Sequence, residues 1–542
     1  MRLSEAVAEL LRSEGVDRVF GNPGTTELPF LDALAGSLPY VLGLHEGSLV
    51  ATADGYARVT RRPAFVSLHV AAGLANGLIG MLNAKRSRTP LVVTAGQQDR
   101  RHLLQEPMLG GDLVGLAAAA AKSAVEVTRT EDVLPLLRRA FRLAATPPAG
   151  PVFVALPMDL FDDPQSVPLP PPLPRDDALA SARVGQAARL LRGAVDPAVV
   201  AGDGVGRGGA VEALVAVVEA LGATAYHQPM HDGIDVPLTH PLHAGMLPPT
   251  NAGSREALAG HDVVLLAGAR FWPHHYSPGP PLRAGTTVVQ VDDEADQLGR
   301  PVPAEVVLGG DIGVNLAALA DALGPADPPA RRRAARLQEA NLARRTGLAE
   351  AGEASARRWP PGPEGLAHLI AAAVPEDALV VEEAITLGLP LRRLLRIDRP
   401  GHFLHTIGGG LGWGIGAAVG ASLGRPGRPV LAVVGDGCAA FGVHGLWTAA
   451  AQRTPVLVLV ADNGEYRTLK QTADGRGGAL ARQGFPGLDL YPPRLDWLAL
   501  ARGFGVEARL AGSAAEVGEV LRDAGKLEAP LLLQVPVAGF GG

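Results

Sequence analysis

The segment PVLAVVGDGCAAFGVHGLWTAAAQRTPVLVLVADN, residues 429–463, opens as an apolar run rich in valine and stops at Gly435-Asp436-Gly437. Short Val/Leu runs on either side of an Ala-containing stretch of helical length predict a strand, a helix and a second parallel strand that ends at Asn463. Residues 63–96, PAFVSLHVAAGLANGLIGMLNAKRSRTPLVVTAG, repeat that order, and Arg-Thr-Pro precedes the second strand in both segments. The matched order predicts a duplicated α/β unit, one copy near each end of the chain.

Working outward, 542 residues exceed one core and suggest roughly three domains of ~150 residues each. Two proline-rich stretches mark the joints. DDPQSVPLPPPLPRDD, residues 162–177, has no strand or helix period, and residues 324–365 hold a charged Ala/Arg/Glu helix between proline clusters. In every block, short Val/Leu runs alternate with Ala/Leu-rich helical stretches, the pattern of parallel sheets covered by helices. The expected fold is therefore α/β, with three doubly wound parallel-sheet domains over residues 1–165, 180–325 and 360–535.

Composition removes several classes of function. A formal net charge of −6 gives no electrostatic basis for binding nucleic acid or an anionic membrane, and neither is expected as a partner. Cys438 is the only cysteine, which excludes an internal disulfide and a cysteine-based zinc site. The N-terminal stretch MRLSEAVAELLRSEGVD reads as a charged amphipathic helix, not a signal peptide, and no apolar run approaches ~18 residues. A cytoplasmic protein is expected.

In a parallel α/β sheet, ligands gather beyond the carboxyl ends of the strands. Asp436 stands at such an end, between glycines that let backbone approach a ligand closely, ahead of a helix whose N–H groups suit a phosphate. Asn463 closes the next strand 27 positions later (463 − 436), which puts the two side chains on adjacent strand ends. Both offer oxygen ligands suited to Mg²⁺ or Ca²⁺. An isolated GDG reads more simply as a strand-ending turn with a helix cap. The middle block supplies a control. Gly202-Asp203-Gly204 also follows a strand, but Met230 stands 27 positions on, and the nominal GxGxxG at 204, 206 and 209 lacks its acidic partner. That loop is read as structural.

The GDG with its spaced Asn463 resembles the cofactor motif of thiamine diphosphate-dependent enzymes, with Asp462-Asn463 where Asn-Asn is usual. The resemblance implies that Asp436, Asn463 and the Glu465 main-chain carbonyl hold Mg²⁺ (or Ca²⁺). It also implies that Thr386, Gly435, Gly437, Cys438 and Tyr466 border the diphosphate, while Ile385 occupies a place often held by a hydroxyl residue. VLGLHEGSLVATADGYARVT, residues 41–60, is similar to that family's catalytic-glutamate region. Glu46 would then bond the pyrimidine ring nitrogen and drive the imino form. Read locally, it is also an acid in the first turn of a helix, complementing the dipole.

Further stretches, VFGNPGTTELPFLDAL (19–34), LHVAAGLANG (68–77), PLVVTAGQQ (90–98), GGGLGWGIGAAVG (408–420) and FPGLDL (485–490), resemble the benzoylformate decarboxylases within this family, and the likeness runs nearly end to end. It implies a carbonyl from Gly409 for the pyrimidine amine and apolar support from Leu411. His69 and His274 would move protons, with His275 a rival for the second place, and Thr25 would bind the substrate carboxylate. A lone His69 at a strand end reads locally as a surface or capping residue. In the implied substrate pocket Thr472 replaces an aromatic ring and Thr468 a small residue, while Met108, Leu109 and Leu488 keep apolar character.

The expected function is thiamine diphosphate- and Mg²⁺-dependent, non-oxidative decarboxylation of a 2-keto acid, benzoylformate-like, to an aldehyde and CO₂, with carboligation as an accompanying reaction. A homo-oligomer with the site at the dimer interface, assembled as a tetramer, is implied by the same resemblance. An aliphatic 2-keto acid fits this sequence as well as an aryl one. Two rivals remain at this point. An acetolactate synthase-like carboligase is expected to lack the histidine at position 69, and a non-catalytic cofactor-binding homologue would not need Glu46 or the histidines.

Overall fold

The computed structural model describes residues 2–162, 168–173, 178–270 and 276–541. Its strands form three six-stranded sheets. The first contains β1 (Val19–Gly21), β2 (Tyr40–Leu42), β3 (Ala64–Leu68), β4 (Leu91–Gln97), β5 (Ser123–Glu126) and β6 (Val152–Pro157) in the order 2-1-3-4-6-5, all parallel. The second contains β7 (Pro197–Ala201), β8 (Thr224–His227), β9 (His243–Met246), β10 (Val263–Ala267), β11 (Thr287–Asp292) and β12 (Val306–Gly309) in the order 12-11-10-7-8-9. The third contains β13 (Leu379–Glu383), β14 (Phe403–His405), β15 (Val430–Gly435), β16 (Val456–Asp462), β17 (Glu507–Leu510) and β18 (Leu531–Pro536) in the order 14-13-15-16-18-17.

Renumbered from its own first strand, the third sheet has the order of the first. The duplication read from residues 63–96 and 429–463 is thus a duplication of topology, with β3 and β4 matching β15 and β16. Both sheets reverse direction between the same pair of strands, β1/β3 and β13/β15, and such a reversal opens a crevice at the strand carboxyl ends. Strands covered on both faces should be apolar throughout, and β3, β4 and β16 are buried at every residue.

The chain packs as two compact units. One comprises Met1–Arg175, Arg357–Gly388 and Thr406–Gly542; the other comprises Asp176–Ala356 and Leu389–His405. In the first unit the Glu46–Thr60 and Gly414–Gly424 helices cross at close range. A Cβ on Gly416 would meet the Ser48 carbonyl oxygen at 2.5 Å, and Cβ atoms on Gly55 or Gly420 would collide with Ala417 or Thr52 backbone. This contact explains ADGYAR and GWGIGAAVG together. The Trp413 indole N–H donates to Asp54 Oδ2 at 2.6 Å, and Arg58 Nε donates to Asp54 Oδ1 at 3.0 Å, so the buried Asp54 is fully used.

In the second unit the charged stretch expected after residue 324 is a helix, Pro328–Ala356. The GDG of the middle block turns from β7 into a short helix, Asp203–Arg207. A Cβ on Gly202 would stand 2.6 Å from Gln228 Oε1 and would also collide with Gly268 backbone, so the glycine there serves packing, as read. Among the described residues no helix is long and apolar enough to cross a membrane.

Candidate active site

The candidate residues sit where the two matching sheets end. β1 leads into Asn22 and a tight turn, Thr25–Glu27; β2 leads into Glu46; β3 leads into His69. In the third sheet β13 leads into Ile385 and Thr386, β14 into the 406–413 loop, β15 into Asp436 and β16 into Asn463. His69 and Asp436 therefore hold equivalent positions in the two repeats.

Glu46 is the first residue of its helix, 6% exposed, and His45 caps the helix by accepting from Gly47 N–H. Its carboxylate is clamped by two amides. Asn22 Nδ2 donates to Oε1 and Asn76 Nδ2 donates to Oε2, both at 3.0 Å. A solvated dipole complement would need neither clamp.

His69 precedes the Val70–Arg86 helix, and its Nδ1 lies 2.9 Å from Glu27 Oε2 and 3.3 Å from Thr26 Oγ1. Glu27, buried, also accepts from Gly24 N–H at 2.8 Å, Gly96 N–H at 2.9 Å and the Thr26 hydroxyl at 2.6 Å. The carboxylate thus fixes the Nδ1–H tautomer and leaves Nε2 for the site. Val70 takes φ +42°, a left-handed value that costs a β-branched residue about 1–3 kcal/mol. Strain of this kind beside a held imidazole marks a positioned group. Glu46 and His69 flank Gly73, whose Cβ, if present, would lie 3.1 Å from Glu46 Oε1 and 3.5 Å from His69 Cβ.

Glu27 was not read as a site residue from the sequence. An amide in its place cannot accept from all four donors, since its NH₂ group faces one of them. We expect Glu27→Gln to lower kcat by roughly 10–10²-fold with cofactor affinity little changed, because it loosens the carboxylate that holds the imidazole and leaves Asp436 untouched. Steady-state kinetics beside a cofactor titration checks this, and an unchanged kcat contradicts it. Thr25 is exposed at the turn, whereas Thr26 is buried and bonded to Glu27.

At the third sheet, Asp436 is buried, and its carboxylate joins two strand ends. Oδ1 accepts from Gly437 N–H at 2.8 Å and Oδ2 from Gly464 N–H at 2.7 Å. Burial, reinforced by the neighbouring Asp462 charge, pushes its carboxyl up to about 7 despite those two bonds. Asn463 Oδ1 accepts from Glu465 N–H at 3.0 Å. The Glu465 side chain is occupied by Lys470 Nζ at 2.5 Å and by Phe540 N–H, so its main-chain carbonyl is what it has to offer a ligand. The gap from Asp436 to β16 is filled by two short helices, Asp436–Gly442 and Gly445–Ala451, where one was expected.

Around this point, the Thr386 and Thr468 hydroxyls meet at 2.9 Å, and the buried Cys438 thiol, raised by burial, faces the Ile385 N–H. A Cβ on Gly437 would stand 2.8 Å from the Tyr466 ring, while one on Gly435 would meet nothing nearer than 3.9 Å. Gly409 is exposed at φ +79° with open space around it, and Leu411 is half-buried. The loop carrying both is anchored by a residue the sequence did not single out. Glu383 Oε1 accepts from Gly412 and Trp413 N–H at 2.9 and 3.2 Å, and Oε2 from Gly414 N–H at 2.8 Å. Burial pushes this carboxyl up to about 8. His274 and His275 lie outside the described residues.

The model of the thiamine pyrophosphate enzyme N-terminal TPP binding domain matches residues 1–115, that of the central domain residues 184–319, and that of the C-terminal TPP binding domain residues 387–535. The chain is 36% identical to benzoylformate decarboxylase of Pseudomonas aeruginosa over 534 residues, 97% of each chain. Among solved structures it is similar to the thiamine diphosphate-dependent 4-hydroxybenzoylformate decarboxylase of Rhodococcus jostii, at 30% identity, TM-score 0.87 and full coverage of both chains. It is also similar to benzoylformate decarboxylase of Polynucleobacter necessarius, at 28% identity and TM-score 0.88, over 99% of this chain and 98% of that one.

Proposed function

Because this chain belongs to the thiamine pyrophosphate enzymes, we propose that it decarboxylates a 2-keto acid of the benzoylformate class, without oxidation, to an aldehyde and CO₂. The observation that carries the reading is one loop, residues 22–27, that holds two different chemical groups. Asn22 grips the Glu46 carboxylate, and Glu27 grips the His69 imidazole.

The residues fit the cofactor and its metal. Asp436 is a buried carboxylate beside a second acid, a pairing that a divalent cation relieves. The oxygen set of Asp436, Asn463 and the Glu465 carbonyl suits a hard ion such as Mg²⁺ or Ca²⁺. Thr386, Cys438 and Tyr466, with Gly435 and Gly437, would border the diphosphate, and Gly409 and Leu411 the pyrimidine. When bound, thiamine diphosphate supplies the nucleophilic carbon and the electron sink for loss of CO₂. Glu46 holds or takes a proton at the pyrimidine ring nitrogen. His69 Nε2, left open because Nδ1 is committed to Glu27, would take up a proton from solvent and deliver it near the reacting carbonyl. His274 would be the second proton carrier, and Thr25 would orient the substrate carboxylate.

Several large apolar side chains are exposed on the single chain, among them Leu104 at 97%, Met108 at 83% and Phe441 at 58%. They support assembly into a homo-oligomer, a dimer or a tetramer of dimeric sites, in which a second copy covers them. The substrate class is tested with a panel of aryl and aliphatic 2-keto acids plus thiamine diphosphate and Mg²⁺. Equal amounts of CO₂ and aldehyde from an aryl keto acid are expected. Acetolactate from pyruvate with no aldehyde from any acid would reject the proposal.

A further inference from the structure

The second unit contains a side-chain cluster that the proposed reaction does not use. It begins in HQPMHDGID, residues 227–235, where His227, His231 and Asp235 recur at intervals of four. His227 ends β8, and the loop after it is tied down rather than loose. Asp203 Oδ1 accepts from Asp232 N–H at 2.8 Å and Oδ2 from Gln228 Nε2 at 2.6 Å, while Asp235 Oδ1 accepts from Gly206 N–H at 2.9 Å. The GDG loop read as structural is what pins this segment.

Hydrogen bonds also settle the tautomers. His243 Nδ1 lies 3.1 Å from the Leu238 carbonyl and must donate to it, which leaves Nε2 as an acceptor. His227 Nδ1, 3.0 Å from that Nε2, is then the donor, so His227 Nε2 carries a lone pair. Among the described residues it accepts two long N–H contacts, from Asp235 at 3.2 Å and Val236 at 3.4 Å. His231 Nδ1 donates to the Gly233 carbonyl at 2.7 Å, which leaves its Nε2 with a lone pair too. A backbone carbonyl or imidazole on the far nitrogen is the usual way a metal-binding histidine is oriented.

Asp235 completes the set. It is 0% exposed, and Oδ2 has no hydrogen-bond partner, although it lies 4.0 Å from His227 Nε2. A polar core cluster that served packing alone would satisfy that oxygen. One ligand atom from each of the three side chains lies within 4.8 Å of the others, and contraction by up to about 1.5 Å reaches the spacing set by 2.0–2.1 Å metal bonds. Two cations stand nearby: Arg207, 3.6 Å from Asp232 Oδ2, and Arg392, close to His231. Neither makes a hydrogen bond to Asp235 Oδ2.

We propose that His227 Nε2, His231 Nε2 and Asp235 Oδ2 form a cation site in the middle sheet, for a first-row transition ion of the Zn²⁺ type. Two imidazoles and one carboxylate select Zn²⁺ or Co²⁺ over Mg²⁺ and Ca²⁺, so the site is distinct in chemistry from the oxygen set at Asp436.

The test uses tag-free full-length protein, stripped with chelator and then saturated with thiamine diphosphate and Mg²⁺. Zn²⁺ is added by equilibrium dialysis and the bound metal counted by mass spectrometry. One equivalent of Zn²⁺ per chain is expected in the native protein and in Asp436→Asn, with binding weakened roughly 100-fold in His231→Gln and Asp235→Asn. Co²⁺ loaded into the native protein should give the intense visible bands of a four-coordinate, nitrogen-ligated ion, a readout that needs no variant to fold. Zn²⁺ binding unaltered by both substitutions, no Zn²⁺ retained in the presence of Mg²⁺, or only the faint spectrum of six-coordinate Co²⁺ overturns the site.

Discussion

Replacing Glu46 by Gln is expected to lower turnover by roughly 10²–10⁴-fold while cofactor affinity changes little. The geometry accounts for both halves of that result. Gln has the shape of Glu, so it keeps the helix start and the packing against Gly73 and Gly77. It cannot keep both clamps. Asn22 and Asn76 each present an N–H₂ group to one carboxylate oxygen, and the amide nitrogen of Gln must face one of these donors. The variant thus loses the charge proposed to share a proton with the pyrimidine and also disturbs one clamp. Because the proposed diphosphate contacts lie at the third sheet, binding should persist. Titration of cofactor with Mg²⁺, followed by single-turnover kinetics, separates the two effects. A Glu46→Gln enzyme that turns over at the native rate refutes the assigned role.

Substitution of Asp436 should have the opposite signature. Asp436→Asn keeps an oxygen for one of the two backbone N–H groups but loses the charge, and we expect Mg²⁺-dependent cofactor binding to weaken by at least roughly 10–100-fold. Asp436→Ala goes further. It leaves the Gly437 and Gly464 N–H groups without an acceptor inside the protein, at about 1–3 kcal/mol for each buried group, so stability falls as well. Calorimetric titration of Mg²⁺ with thiamine diphosphate, together with thermal melts, reads both changes. Native cofactor affinity in the Asn variant would remove Asp436 from the metal set.

The sequence made the repeats legible because each is local, a valine-rich strand, a glycine turn and a helix within about thirty residues, the usual size of such a unit. It also made Asp436 and Asn463 legible, since one crossover separates them. Glu27 was not legible, because its partners His69 and Gly96 lie 42 and 69 positions away and only the sheet brings them together. Glu383 was hidden for a similar reason. As the last residue of a buried strand it gives no local sign that it caps the loop at 412–414. The spacing of His227, His231 and Asp235 is visible in the chain, yet it acquires meaning only through His243, which fixes the tautomer from the neighbouring strand.

The proposed dimer-interface site requires Glu46 of one subunit and Asp436 of another to serve the same cofactor. Co-expression of differently tagged Glu46→Gln and Asp436→Ala chains, followed by isolation of the mixed species, tests that directly. If sites form between subunits, a mixed dimer contains one doubly damaged site and one intact site, and should recover about half the native activity. If each site is built within one chain, every site in the mixture carries a lesion. Activity no higher than that of the separate variants would then contradict the account.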